Sequence, residues 1–162
     1  MDWKPFAVCA DGERPPASRS MATPEGLGDR LRTAAFAEFQ AREAFRAAAQ
    51  RYTDAPAEIR EAWRRFAAEE DKHFGWLMRR MGELDVAPDG RPVSDGLFRS
   101  LSRCADWREF AAYMARAEDR GRTAERHFEK ELASRDPETA AIFKAIADEE
   151  DAHIRTQTSD LG

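Results

Sequence analysis

The chain has 162 residues, enough for one domain with a real hydrophobic core. Acidic residues outnumber basic ones by 31 to 26, and the formal charge of −5 does not favour a nucleic-acid partner held by bulk electrostatics, although local arginine clusters leave tRNA open. Two cysteines, Cys9 and Cys104, with no CxxC pair, exclude a zinc ribbon and a disulfide framework and read as ordinary thiols. The start MDWKPFAV lacks the apolar stretch of a signal peptide, and no run approaches membrane-spanning length, so a soluble cytoplasmic protein without a membrane partner is expected.

Residues 1–24 hold four prolines and little periodicity, which predicts an irregular arm lying on the surface or on a partner. Thr23-Pro24-Glu25 then reads as a helix start, and the first helix runs to about Tyr52 on a stripe of Leu31, Ala34, Ala41, Phe45, Ala48 and Tyr52. Asp54-Ala55-Pro56 breaks it. The second helix runs from about Pro56 to Leu84 along Ile59, Trp63, Phe66, Leu77 and Leu84. Residues 85–105 carry Pro88, Asp89-Gly90, Pro92 and Asp95-Gly96 and read as loop with a short helix at 97–103. A third long helix is predicted from Asp106 to Ala133, with Trp107, Ala111, Met114, Phe128 and Leu132 inward. The fourth starts at Asp136-Pro137 and reaches about Gln157 through Phe143 and Ile146. The bundle therefore spans 25–157, with a tail at 158–162. Short links make two antiparallel hairpins, and the middle link of about twenty residues, at ~3.3 Å each, can traverse the length of a bundle.

The phrase EEDKH at 69–73 returns as EEDAH at 149–153. Each copy holds Glu-x-x-His, Glu70 with His73 and Glu150 with His153, and helix positions three apart share a face. Extending the apolar stripes by seven residues passes through Glu38 on the first helix, Glu70 and His73 on the second, Glu118 and Glu125 on the third, and Glu150 and His153 on the fourth. Carboxylates with imidazoles suit iron or manganese. Buried carboxylates at one level would repel one another, and two divalent cations would neutralise them. The candidate metal ligands are Glu38, Glu70, His73, Glu118, Glu150 and His153. Glu125, two turns beyond Glu118, is a candidate for support behind the ligands, a channel or an additional ligand. The flanking Glu69, Asp71, Glu149 and Asp151 read as solvated helix faces, Glu43 as surface and His127 as a rim residue. Trp63, Phe66, Phe74 and Phe143 read as core, some of them able to wall a dioxygen or substrate pocket.

These motifs resemble those of ferritin-like di-iron carboxylate proteins. AEFQAR at 37–42 and IFKAIADEEDAH at 142–153 are similar to the first and last bundle helices of rubrerythrins. AEDRGRTAERHF at 117–128 resembles the third helix of di-iron tRNA hydroxylases and of a related ferritin-like family of unassigned function, and TPEGLGDRLRTAAFAE and VSDGLF look most like that unassigned family. The resemblance covers about residues 23–155. It implies a ferritin-like four-helix bundle with one long crossover, and two iron ions, or manganese or a substituting divalent metal. Glu70 and Glu150 would bridge the ions, Glu38 and Glu118 would be terminal or chelating, and one histidine would cap each ion. The implied activity is that of an oxidase or oxygenase using dioxygen or peroxide, supplied by an external electron donor. The alternatives are a metal-handling, iron-storage or peroxide-scavenging protein, or a bundle that keeps metal for structure. A homodimer is left open. The chain departs from rubrerythrins in lacking a rubredoxin-like CxxC segment and in placing Gly121 where they carry a further glutamate.

Overall fold

Thr23 starts the first helix as read: its hydroxyl oxygen accepts from the backbone N–H of Gly26 at 3.1 Å, with Pro24 in the first turn. The computed structural model describes residues 1–159, with side chains through 155; the end of the expected 158–162 tail lies outside the described residues. Among the described residues there are five helices and no strands: α1 Pro24–Arg51, α2 Ala57–Glu83, α3 Gly96–Ser102, α4 Trp107–Leu132 and α5 Pro137–Ser159. Asp106 caps α4 by accepting from the N–H groups of Arg108 and Glu109, both at 2.9 Å. Asp136 caps α5 through the Thr139 N–H at 3.0 Å.

Two apolar cores sit at opposite ends of the bundle. One gathers the C-terminal half of α1, the N-terminal halves of α2 and α4, and Leu101 of α3. The other gathers Leu31 and Phe36 of α1, Leu77 and Met81 of α2, Leu132 of α4 and Phe143 and Ile146 of α5. Consequently α2 ends at one pole and α4 begins at the other, and residues 84–106 must run the length of the molecule. The partners α1–α2 and α4–α5 pack along their lengths and α2 meets α5, whereas α1 and α4 make almost no close backbone approach.

The connection between α2 and α4 is tied to α1 by polar groups. Gln40 donates to the Ser94 carbonyl at 3.1 Å and accepts from the Phe98 N–H at 3.0 Å. Arg32 donates to the Ala87 carbonyl at 3.0 Å, and the Tyr52 hydroxyl to the Cys104 carbonyl at 3.0 Å. Arg80 near the end of α2 binds Asp136 at 3.0 Å and Glu138 at 2.9 Å, fixing the start of α5.

The N-terminal arm departs from the expected surface strap. It buries Trp3 and Phe6 against Phe36 and Phe39 of α1, with edge-on ring contacts for Trp3 at 5.3 and 5.1 Å, and Val8 bridges to Val93. Further along, Asp29 accepts from Arg19 at 2.8 Å, Arg91 at 2.6 Å and Arg32 at 3.2 Å, joining arm, connection and helix at one carboxylate. Gly26 is required by this crossing, because a Cβ there would stand 1.8 Å from the Ser20 carbonyl oxygen. The short helix begins at Gly96 rather than residue 97. Leu84, expected on the inward stripe, follows the last residue of α2 and is 36% exposed.

Candidate metal centre

Between the two apolar cores lies a polar layer, built by one side of each long helix. Glu38 comes from α1, Glu70 and His73 from α2, Glu118 and Glu125 from α4, Glu150 and His153 from α5. None of the seven is more than 6% exposed. Glu38, Glu70 and His73 form one trio, Glu70, Glu118 and His153 a second, and Glu38, Glu125 and Glu150 a third; within each, one donor atom per residue lies within 4.8 Å of the others. Glu70 belongs to both histidine-containing trios and is the pivot of the layer.

The two histidines are oriented alike. His73 Nδ1 lies 3.6 Å from Glu38 and 3.5 Å from Glu70, while His153 Nδ1 lies 3.0 Å from Glu70 and 3.3 Å from Glu118. Their Nε2 atoms face outward. His73 Nε2 is 2.7 Å from Glu149, and His153 Nε2 is 2.6 Å from Glu69. Each repeat thus lends its first glutamate to the histidine of the other repeat, across α2 and α5. A carboxylate on one ring nitrogen fixes the ring plane and makes the opposite nitrogen a better donor to a cation. The reading of Glu69 and Glu149 as solvated faces is corrected here: they are 39% and 35% exposed at the side chain, yet their oxygens reach inward. The signal was in the sequence, since the repeated unit is EEDxH rather than ExxH. Asp71 does stay outside and pairs with Arg42, and Asp151 pairs with Arg122 at 2.5 Å.

Glu125 does not stand behind the layer. It joins it, and its Oε2, like that of Glu150, is buried without a hydrogen-bond partner. Glu43 lies apart, held by Arg42 at 2.8 Å and Arg46 at 3.0 Å, and His127 is exposed. Cys104 is buried and Cys9 half-buried; both are free.

Five carboxyl groups in one dry layer cannot all ionise. Burial, reinforced by the Glu70 charge, holds Glu38 well above the usual carboxylate range. Burial and repulsion from Glu125, Glu38, Glu70 and Glu118 push Glu150 up to about 12, and burial raises Glu125 to about 7. Burial would raise Glu70 as well, but hydrogen bonds from Glu38, His153 and His73 outweigh it and hold this carboxyl below its ordinary range. The histidines respond in kind: burial opposes their charge, yet adjacent carboxylates raise His73 to about 11 and His153 to about 10. Protons therefore balance the layer, and divalent cations would take over that task. Orphaned buried oxygens, inward Nδ1 atoms and a mixed carboxylate–imidazole set fit such ions.

Beside the layer is a cavity of about 290 Å³ between α1 and α4. Small side chains make it: Ala34, Ala37 and Ala41 face Ala117, Gly121 and Ala124. Glu38, Glu70, Glu118, Glu125 and Glu150 line it as well. A Cβ on Gly121 would stand 3.8 Å from Glu150, in ordinary contact with it, so this position lies directly against the carboxylate layer.

No helix among the described residues is long and apolar enough to cross a membrane. No curated protein and no solved structure matches the chain. The sequence pattern of one family does match, over residues 5–158, which takes in the arm, the four long helices and the whole polar layer. The chain belongs to that family, described as protein of unknown function (DUF455).

Proposed function

We propose that this chain is a ferritin-like di-iron carboxylate protein that activates dioxygen or peroxide on an organic substrate. The observation that carries the reading is the pair of buried Glu-x-x-His units, each histidine turned inward at Nδ1 and held outward by a glutamate of the other unit. Glu38, Glu70 and His73 would hold one ion, and Glu70, Glu118 and His153 the other, with Glu70 common to both and Glu150 facing them from α5 as a further carboxylate ligand. Manganese or another divalent ion could substitute at such a donor set. Paired ferrous iron supplies the electrons that reduction of dioxygen requires.

The protein's residues then act by position and charge. Glu69 and Glu149 fix the imidazole rings. Glu125 carries an unpaired oxygen on the cavity side and can hold or release a proton there. The cavity of alanines and Gly121 against the carboxylates favours an organic substrate over iron storage or metal holding, because storage needs no such apolar recess beside the ions. No CxxC segment stands in this sequence, so electrons would come from a donor outside it.

Anaerobic loading with ferrous iron followed by dioxygen, watched by optical spectroscopy, tests the reading. Two ions per chain and stoichiometric dioxygen consumption are expected, with turnover only when a reductant is added. Loaded protein that reacts with neither dioxygen nor peroxide would leave metal holding as the function.

A further inference from the structure

The cavity between α1 and α4 has a cation at its edge. Arg30 lines it two turns before Glu38, about 12 Å along the helix at ~1.5 Å per residue. Among the described residues no carboxylate pairs with this guanidinium. Its Nε is buried without a hydrogen-bond partner, and its guanidinium carbon lies over the Phe128 ring, 5.8 Å from the centroid. Four other arginines on these helices have carboxylates, Arg32 with Asp29, Arg42 with Glu43, Arg122 with Asp151 and Arg126 with Asp148, while Arg108 and Arg116 lie over the rings of Trp107 and Tyr113 at the far end of α4. An unpaired, partly desolvated guanidinium is costly unless an anion completes it. Arg30, Ala124 and Phe128 also line an outer recess with His127, Arg135 and Glu131; Arg135 lies 3.8 Å from Glu131, which leaves Arg30 as the cation of this recess without a carboxylate among the described residues.

The opposite end has the complementary character. Alanines and Gly121 wall the interior, and the floor is the carboxylate layer, where the Oε2 atoms of Glu125 and Glu150 are buried and unpartnered. At about 30 Å³ per water, 290 Å³ holds about ten non-hydrogen atoms.

We infer that this cavity is the substrate chamber of the proposed centre and takes an amphipathic anion: an apolar body of roughly this size inside, and a carboxylate or phosphate head on Arg30. The inference rests on the di-metal reading for the word substrate, but the binding it states does not need the metal. The apolar end is presented to the carboxylate layer, and the charged end stays two helical turns away, where it adds no negative charge to an already crowded layer.

The test is calorimetric titration of the full chain, once with chelator and once loaded with cobalt(II), using octanoate, octyl phosphate and octanol. Octanoate or octyl phosphate should bind at least tenfold more tightly than octanol, and comparing the two anions identifies the head group. Arg30→Met should weaken the anion by roughly tenfold to a hundredfold while leaving octanol unchanged, as loss of a charge-assisted bond requires. Arg30→Lys should recover part of the loss, and Ala124→Leu, which fills the chamber, should weaken all three. Equal binding of octanol and the anions by wild-type protein, no response to Arg30→Met, or no binding of either anion at millimolar concentration would overturn the inference. Anion binding through Arg30 by a protein that takes up no divalent metal would support the chamber and refute the di-metal reading alone.

Discussion

Replacing Glu69 or Glu149 probes whether the outer ends of the histidines set the strength of the inner ends. The contacts are 2.6 Å for Glu69 and 2.7 Å for Glu149, the lengths of charge-assisted bonds. Loss of such a carboxylate partner costs about tenfold to a hundredfold in metal affinity, or about 1.4–2.7 kcal/mol. The two positions are not equivalent. Lys72 also holds Glu149, at 2.7 Å, and draws its charge outward, whereas Glu69 has His153 alone among the described residues. Glu69→Ala should therefore fall near the hundredfold end, and Glu149→Ala near the tenfold end. Each substitution should weaken one of two ions, the one nearest the histidine it releases, and the double variant should weaken both. Glu149→Gln keeps an acceptor oxygen and should lose less than Glu149→Ala. Competition of cobalt(II) or anaerobic ferrous iron against a chromophoric chelator measures this, with Asp71→Ala as the neutral control on the same helix as Glu69. If both alanine variants bind two ions within twofold of wild type, the crossed contacts do not tune the centre.

Divalent metal should raise the melting temperature: saturation at a hundred times Kd adds about 2.7 kcal/mol, or about 5–11 °C for a chain of this size. Unchanged melting on chelation would mean that protons already neutralise the layer fully. Glu70→Ala or Glu150→Ala should lose metal affinity in the same titration where Glu43→Ala does not. Asp29→Asn should lower stability by about 2–4 kcal/mol, because Arg32 beside it is buried while Arg19 and Arg91 keep partial access to water. Hydrogen bonds from Arg19, working against burial, hold the Asp29 carboxyl below the ordinary range. Its contribution is therefore full above the unfolded value near 4 and is lost as pH falls further, so in urea titrations the gap to Asp29→Asn should be constant above pH ~5 and narrow below pH ~4. A gap that stays constant down to pH ~2.5 would contradict this. Gly26→Ala should release the arm at a cost of roughly 1–3 kcal/mol, read as faster tryptic cleavage at Arg19; unchanged cleavage would show that the crossing is not tight.

The four long helices were legible because their apolar residues recur at helical spacing and their starts carry Thr23, Asp106 and Asp136 as caps. Continuing the same spacing picked out the seven residues of the polar layer, since a charge at an inward position stands out against its neighbours. What periodicity could not show was contact between elements far apart in sequence. The arm read from its prolines as an irregular segment on the surface or on a partner, yet Trp3 and Phe6 are buried against α1, some thirty residues away. Glu69 and Glu149 sit one position off the inward face, where a short acid reads as solvated; only the neighbouring helix brings an imidazole within reach. The cavity was equally hidden, because Ala and Gly at helical spacing describe close packing as readily as empty space. The distance between α1 and α4 decides which, and no local pattern encodes it.

The exchange of glutamates between the two EEDxH units bears on how the molecule assembles. Each hairpin carries its own Glu-x-x-His, but the carboxylate that orients its histidine resides on the other hairpin. An isolated half can form its helices and still leave the imidazole free to rotate. Completion of the layer is thus the event in which the halves dock, after the long connection has spanned the poles. Contacts so distant in sequence form late, because the intervening chain must be ordered first. The centre therefore matures as one cooperative unit, and an observable that follows the histidine rings would time the last step of folding rather than the first.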